Sequence, residues 1–145
     1  MTKYSFANLD AWVGKVERRM DAVVKQSAND MLKDIDISVG IIRGGRVERG
    51  TIPRDLGALA NSLQSSLYGS TGLTTEGKNS YVLAIGQLQA GDRATFTWGG
   101  VNAPYARAIH YGFNSYPGTW WRDEAAAKWP QYVAAATIRA KALIP

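Results

Sequence analysis

The sequence predicts an α+β domain with two long helices packed on an antiparallel sheet of three to four strands, plus a short helix and a long basic loop. Three observations point to it. An apolar stripe at helical spacing occupies the first quarter of the chain, a glycine-punctuated middle has strand composition, and the final quarter is an alanine-rich run. At 145 residues the chain is the size of one domain, 1–145, able to bury a core without covalent staples.

Ser5 to Ile37 reads as one long helix, because Phe6, Leu9, Val13, Val16, Met20 and Val23 recur every three or four residues. Such a stripe is expected to be buried within the domain. The opposite face mixes Lys15, Glu17, Arg18, Asp21, Lys25 and Asp30, the pattern of a solvated surface. Val39 to Pro53, VGIIRGGRVERGTIP, keeps no period and reads as a loop, with Gly44 and Gly45 suited to a short hairpin. With the adjoining Arg54, the arginines Arg43, Arg46 and Arg49 make it the most basic stretch, able to clamp phosphates or to order against a neighbouring subunit.

In PRDLGALANSLQSSL, the residues Leu56, Leu59, Ala60, Leu63 and Leu67 fit a short helix behind a proline suited to its first turn. Ser66 to Gly72, Asn79 to Leu88 and Ala94 to Gly99 have strand composition, and short connections predict an antiparallel meander. Ala103 to Phe113, APYARAIHYGF, reads as a short amphipathic turn ended by Gly112, with Tyr105 and Ile109 packed inward near Trp121 and His110 at the surface. Trp120 to Leu143 is the second long helix, with a kink expected before Pro130.

Composition excludes several chemistries. There is no cysteine, hence no disulfide framework, thiolate nucleophile or zinc cluster, and a single histidine leaves no basis for a metal site. No phosphate-binding loop ending in Lys and a hydroxyl residue occurs, nor a GxSxG elbow, so no cofactor is expected. The carboxylate pairs Asp34/Asp36 and Asp123/Glu124 sit at helix ends, where the second favours the helix dipole. No window approaches the roughly 20 apolar residues of a membrane span, and Met1 to Asp10 lacks the pattern of an export signal. A surplus of 17 basic over 12 acidic residues permits acidic partners without requiring them. His110 lacks a neighbouring carboxylate in sequence, so a catalytic reading is the weaker one.

Two stretches carry a resemblance. GTIPRDLGALANSL is similar to the segment of phage tail-completion proteins that runs proline, variable residue, Asp, small residue, Gly, then Leu and Ser. YARAIHYGF followed by GTWWRDEAAAKWPQYVAAATIRAKA resembles that family's closing half, where a tyrosine and an aromatic-Gly pair precede a long helix opening with an aromatic and Arg. The matching positions are Pro53, Asp55, Gly57, Leu59 and Ser62 in the first motif and Tyr105, Tyr111, Gly112, Trp121, Arg122 and Ala126 in the second. Leu56 stands where the family has a small hydroxyl residue, and His110 where it often has an acid.

The resemblance implies a structural, non-enzymatic virion protein in the neck of a long-tailed bacteriophage, made in the host cytoplasm. It implies self-assembly into a ring, usually a hexamer, that contacts a head-closure or adaptor protein on one side and the tail tube or tail terminator protein on the other. No membrane partner is implied, and transient contact with genomic DNA is compatible with it. Arg43, Arg46, Arg49 and Arg54 are the expected interface with a subunit or neck partner. The alternative is a small nucleic-acid-binding module that uses the same four arginines.

Overall fold

The computed structural model describes residues 6–35, 50, 52, 58–69, 71–77, 80–101, 103–112, 114 and 117–145. Its elements run α1 (Phe6–Ile35), α2 (Ala58–Asn61), β1 (Gln64–Tyr68), β2 (Thr74–Glu76), α3 (Tyr81–Gln87), β3 (Arg93–Thr97), α4 (Ala106–Tyr111) and α5 (Trp121–Leu143). The α+β class holds, with α1 and α5 packed along each other beside a three-stranded antiparallel sheet. The basic loop with Arg43, Arg46, Arg49 and Arg54, and the motif residues Pro53, Asp55, Leu56 and Gly57, lie outside the described residues.

The strands are ordered β2-β1-β3, with β1 pairing antiparallel to both neighbours. This is not the expected meander, because α3 carries the chain from β2 across to the other side of β1. Asn79 to Leu88, expected as a strand, supplies that helix. Tyr81, Ala84, Ile85 and Leu88 are all buried while Val82 and Leu83 are exposed, and that spacing is helical. Valine and isoleucine content signals a strand only when the burial pattern alternates, which here it does not.

The opposite error affects Leu63 and Leu67. Their four-residue spacing suits a helix, yet α2 stops at Asn61 and the residues from Leu63 to Leu67 alternate on β1, with Ser65 and Leu67 buried between exposed Gln64 and Tyr68. Ser62 makes the corner, donating from Oγ to the Leu59 carbonyl at 2.6 Å and accepting from the Gly99 N–H at 2.9 Å. It thereby ties the end of α2 to the chain leaving β3.

Two apolar clusters fill the interior. In the first, Ala28 and Leu32 of α1 meet Leu63 and Leu67 around β1 and Tyr81, Ile85 and Leu88 of α3. In the second, Ile35, Ile52, Leu59, Ala60 and Ala103 meet Trp121 and Ala125 of α5. Met31 and Trp98 pack against both, so the clusters are continuous through these two side chains.

Helices α1 and α5 run antiparallel. Near one end the Tyr132 hydroxyl donates to Asp34 at 2.5 Å, and near the other the Arg19 Nε–H donates to the Ile144 carbonyl at 2.6 Å. Burial, then the Asp34 carboxylate, raises the Tyr132 phenol above its ordinary range and keeps it a donor. α5 continues unbroken through Pro130, which is exposed, as is Ala126, the residue whose carbonyl loses its helical donor. The expectation that the α1 stripe is wholly buried fails in its first half. α5 is 23 residues long against 30 for α1, and Leu9, Trp12, Val13 and Met20 remain exposed.

These assignments separate two leucines. Leu32→Ala should lower stability by about 2–5 kcal/mol in urea denaturation, as a large-to-small change in a full core does. Leu83→Ala, on the open face of α3, should stay within about 0.5 kcal/mol. Equal losses would contradict the orientation of α3.

Candidate functional site: the histidine joint between α4 and α5

The closing-half motif folds into one joint. α4 ends at Gly112, whose φ of 92° lies in the left-handed region and whose N–H donates to the Ala108 carbonyl at 2.8 Å. The chain then returns so that the N–H groups of Thr119 and Trp120 donate to the carbonyls of Ile109 and His110, at 3.1 and 2.9 Å. Carbonyls that the helix end leaves unpaired are thus satisfied by the segment that starts the next helix. The approach is close enough to require glycine at 118: with φ at 76°, a Cβ there would lie 2.5 Å from the His110 carbonyl oxygen and 2.6 Å from the Gly112 nitrogen.

The first residue boundary of α5 is unusual. Trp120 occupies the cap position with φ 54° and ψ 35°, a conformation a bulky side chain adopts at a cost, and it has no side-chain acceptor for the free N–H groups beyond it. His110 supplies the acceptor from the other helix, its Nε2 receiving the Arg122 N–H at 3.2 Å. That bond assigns the ring proton to Nδ1, which has no hydrogen-bond partner.

His110 is only 4% exposed, so the expected surface position is corrected. The reason lies in α4 and the turn before it: Ala103, Ala106 and His110 face inward, while Tyr105 turns outward and is 45% exposed instead of packing inward. Ile109 is partly buried against the second cluster, as expected. Edge-to-face contacts surround the imidazole, with ring centroids 4.5 Å to Tyr111 and 4.7 Å to Trp121. Trp121 in turn meets Trp98 edge-on at 6.3 Å, linking the joint to the core.

Outside the imidazole, Arg122 donates from Nη2 to the Tyr111 hydroxyl and from Nε to Asp123 at 3.4 Å. The guanidinium groups of Arg122 and Arg107 each lie 5.7 Å from the centre of the Tyr111 ring. An open cavity of about 400 Å³ lies here, lined by Phe96, Trp98, Arg107, His110, Tyr111 and Arg122 among others. Its lining combines aromatic rings with the Arg107 and Arg122 guanidinium groups. Within this arrangement the His110 Nε2 lone pair is engaged by the Arg122 N–H.

The structure therefore brings Tyr111, Gly112, Trp121 and Arg122 of the closing motif together, and leaves Tyr105 and Ala126 on the outside. Leu59 is buried in the second cluster and Ser62 makes the corner, bonded to the Gly99 N–H. Sequence reasoning missed Gly118, Trp120 and Trp98. The doubled tryptophan beside a glycine was visible, but its function depends on the return of the chain over α4, which no local pattern encodes. Among the described residues no helix is long and apolar enough to cross a membrane. Compared with known proteins, the chain matches no family model, no curated protein and no solved structure.

Burial, the largest effect, lowers the His110 pKa below its ordinary 6.5; nearby Asp123 opposes this and Arg122 adds to it. The unfolded chain then binds more protons than the folded one as pH falls below about 6.5. The contribution of the joint should be intact above that pH, decline as pH drops toward the folded pKa, and level off below it. In urea melts at a series of pH values, His110→Ala should remove this slope as well as lower stability at neutral pH. Gly118→Ala should cost more than about 1 kcal/mol at every pH, since its strain does not titrate. An unchanged slope in His110→Ala would refute the assignment.

Proposed function

We propose that this chain is a structural subunit of the neck of a tailed bacteriophage, assembling with copies of itself into a ring that completes the tail and joins it to the head. The observation that carries this reading is the convergence of the closing-half residues. Tyr111, Gly112, Trp121 and Arg122, which the resemblance picks out across eight intervening residues, form one hydrogen-bonded joint at the head of α5. The order of elements also fits: a long first helix, the Pro53 to Ser62 segment, strands, and the closing helix.

On this reading the protein is a scaffold and not an enzyme, and the engaged histidine supports that. Its partners are further copies, in a likeness to hexameric rings, together with a head-closure or adaptor protein and the tail tube or tail terminator protein. Arg43, Arg46, Arg49 and Arg54 remain the proposed contact with a neighbouring subunit or neck partner.

The test is genetic and visual. When the gene is disrupted in the phage that carries it, electron microscopy of lysates should show filled heads and separate tails, and supplying the chain in trans should restore joined particles. Normal infectious particles without the protein would overturn the proposal.

A further inference from the structure

α1 is amphipathic, yet among the described residues only its second half is covered by other elements. Every residue from Asn8 to Val13 is exposed, and the outward stripe includes Trp12 at 62% and Met20 at 52% exposure. α5 ends at the level of Arg19, where Ile144 is held, so about 13 residues of α1, roughly 20 Å of helix, extend past it. The same stripe continues as the floor of a groove of about 470 Å³, where Val16, Met20 and Val23 lie between Ala90 and Ala140. A tryptophan standing in water among aliphatic neighbours on a regular helix marks a contact surface.

The charges beside the stripe specify the partner. Helical geometry places Asn8 and Lys15 about 100° to one side of Leu9 and Val16, and Asp10 and Glu17 about 100° to the other. Among the described residues none of Asp10, Lys15 and Glu17 makes an ion pair. One flank is therefore basic and the other acidic. Two copies meeting stripe to stripe in antiparallel fashion would set Lys15 beside Lys15 and Glu17 beside Glu17. A parallel meeting sets Lys15 of one copy beside Asp10 and Glu17 of the next.

We propose that the protruding half of α1 docks in parallel on the same segment of a second copy, with Leu9, Trp12, Val13 and Val16 in the seam and Lys15 paired with Glu17 of its neighbour. Parallel pairing joins a basic flank to an acidic one, so it serves two copies or closes around a ring. The inference deepens the ring reading, and its biological setting rests on that reading. The seam is smaller than a standard interface, so self-association is weak, with Kd on the order of 10 µM to 1 mM.

The absence of native cysteine makes the test direct. Leu9→Cys carries the sole thiol, and in a parallel seam position 9 meets position 9. Oxidising the full-length variant at about 100 µM should give disulfide-linked dimers well above those from Lys33→Cys, an exposed control beyond the seam. Adding Trp12→Glu should lower the yield at least about tenfold with unchanged circular dichroism, because Trp12 is exposed. Lys15→Glu should also lower it, and adding Asp10→Lys and Glu17→Lys should restore it. Yields equal to the control, insensitivity to Trp12→Glu, or preferential linkage of Leu9→Cys to Val16→Cys, the antiparallel pair, would each overturn the proposal. If the chains link as described but heads and tails join without the protein, the neck reading fails and the docking surface stands. If joining requires the protein but Trp12→Glu is silent in linkage and joining alike, the docking surface fails alone.

Discussion

The bond from the Arg122 N–H to the His110 imidazole fixes where α5 begins, and most of the architecture follows from that point. A helix opening with two tryptophans has no acceptor of its own for its first N–H groups. The acceptor comes from α4, and the carbonyls at the end of α4 are satisfied by Thr119 and Trp120 in return. Each helix thus closes the open end of the other, and neither end can shift without exposing buried polar groups. Gly118 is what lets the two backbones approach this closely.

From the joint, α5 runs back along α1, held by Tyr132 on Asp34 and Arg19 on Ile144. Trp121 at its head reaches Trp98, and Trp98 with Met31 unites the two apolar clusters. The small sheet contributes one buried face, with Ser65 and Leu67 on its central strand. Burial is therefore concentrated where α1, α5 and the sheet meet, while the far half of α1 presents apolar surface outward. Such a division suits a subunit whose stability is internal and whose contacts lie at its periphery.

Much of this was legible in the sequence, and the failures have physical reasons. α1 was readable because a long stripe with period 3.6 averages over many residues, and α5 because its run of alanines favours helix throughout. The segment 81–87 was not, since its valine, leucine and isoleucine suggest a strand by composition while Tyr81, Ala84, Ile85 and Leu88 are spaced for a helix. Leu63 and Leu67 misled in reverse, because a four-residue interval is compatible with both periods. At the joint, Gly112 was read correctly from local rules. His110 was not, because on a helix of six residues the inward face is chosen by distant Trp121, and no local periodicity reports it. The exposed half of α1 was missed for a related reason: amphipathicity shows that a helix needs a partner but not whether the same chain provides one.

The central claim is that the histidine cluster is a structural joint in which a neutral imidazole serves as a helix cap. Since His110 is the chain's only histidine, nitrogen NMR of the ring reads it without ambiguity. The account predicts a neutral ring protonated at Nδ1 and bare at Nε2 at pH 7, titrating below 6.5 with the fold intact. A ring carrying its proton on Nε2, or one that titrates at or above 6.5, would contradict it and return the histidine to the list of residues available for chemistry.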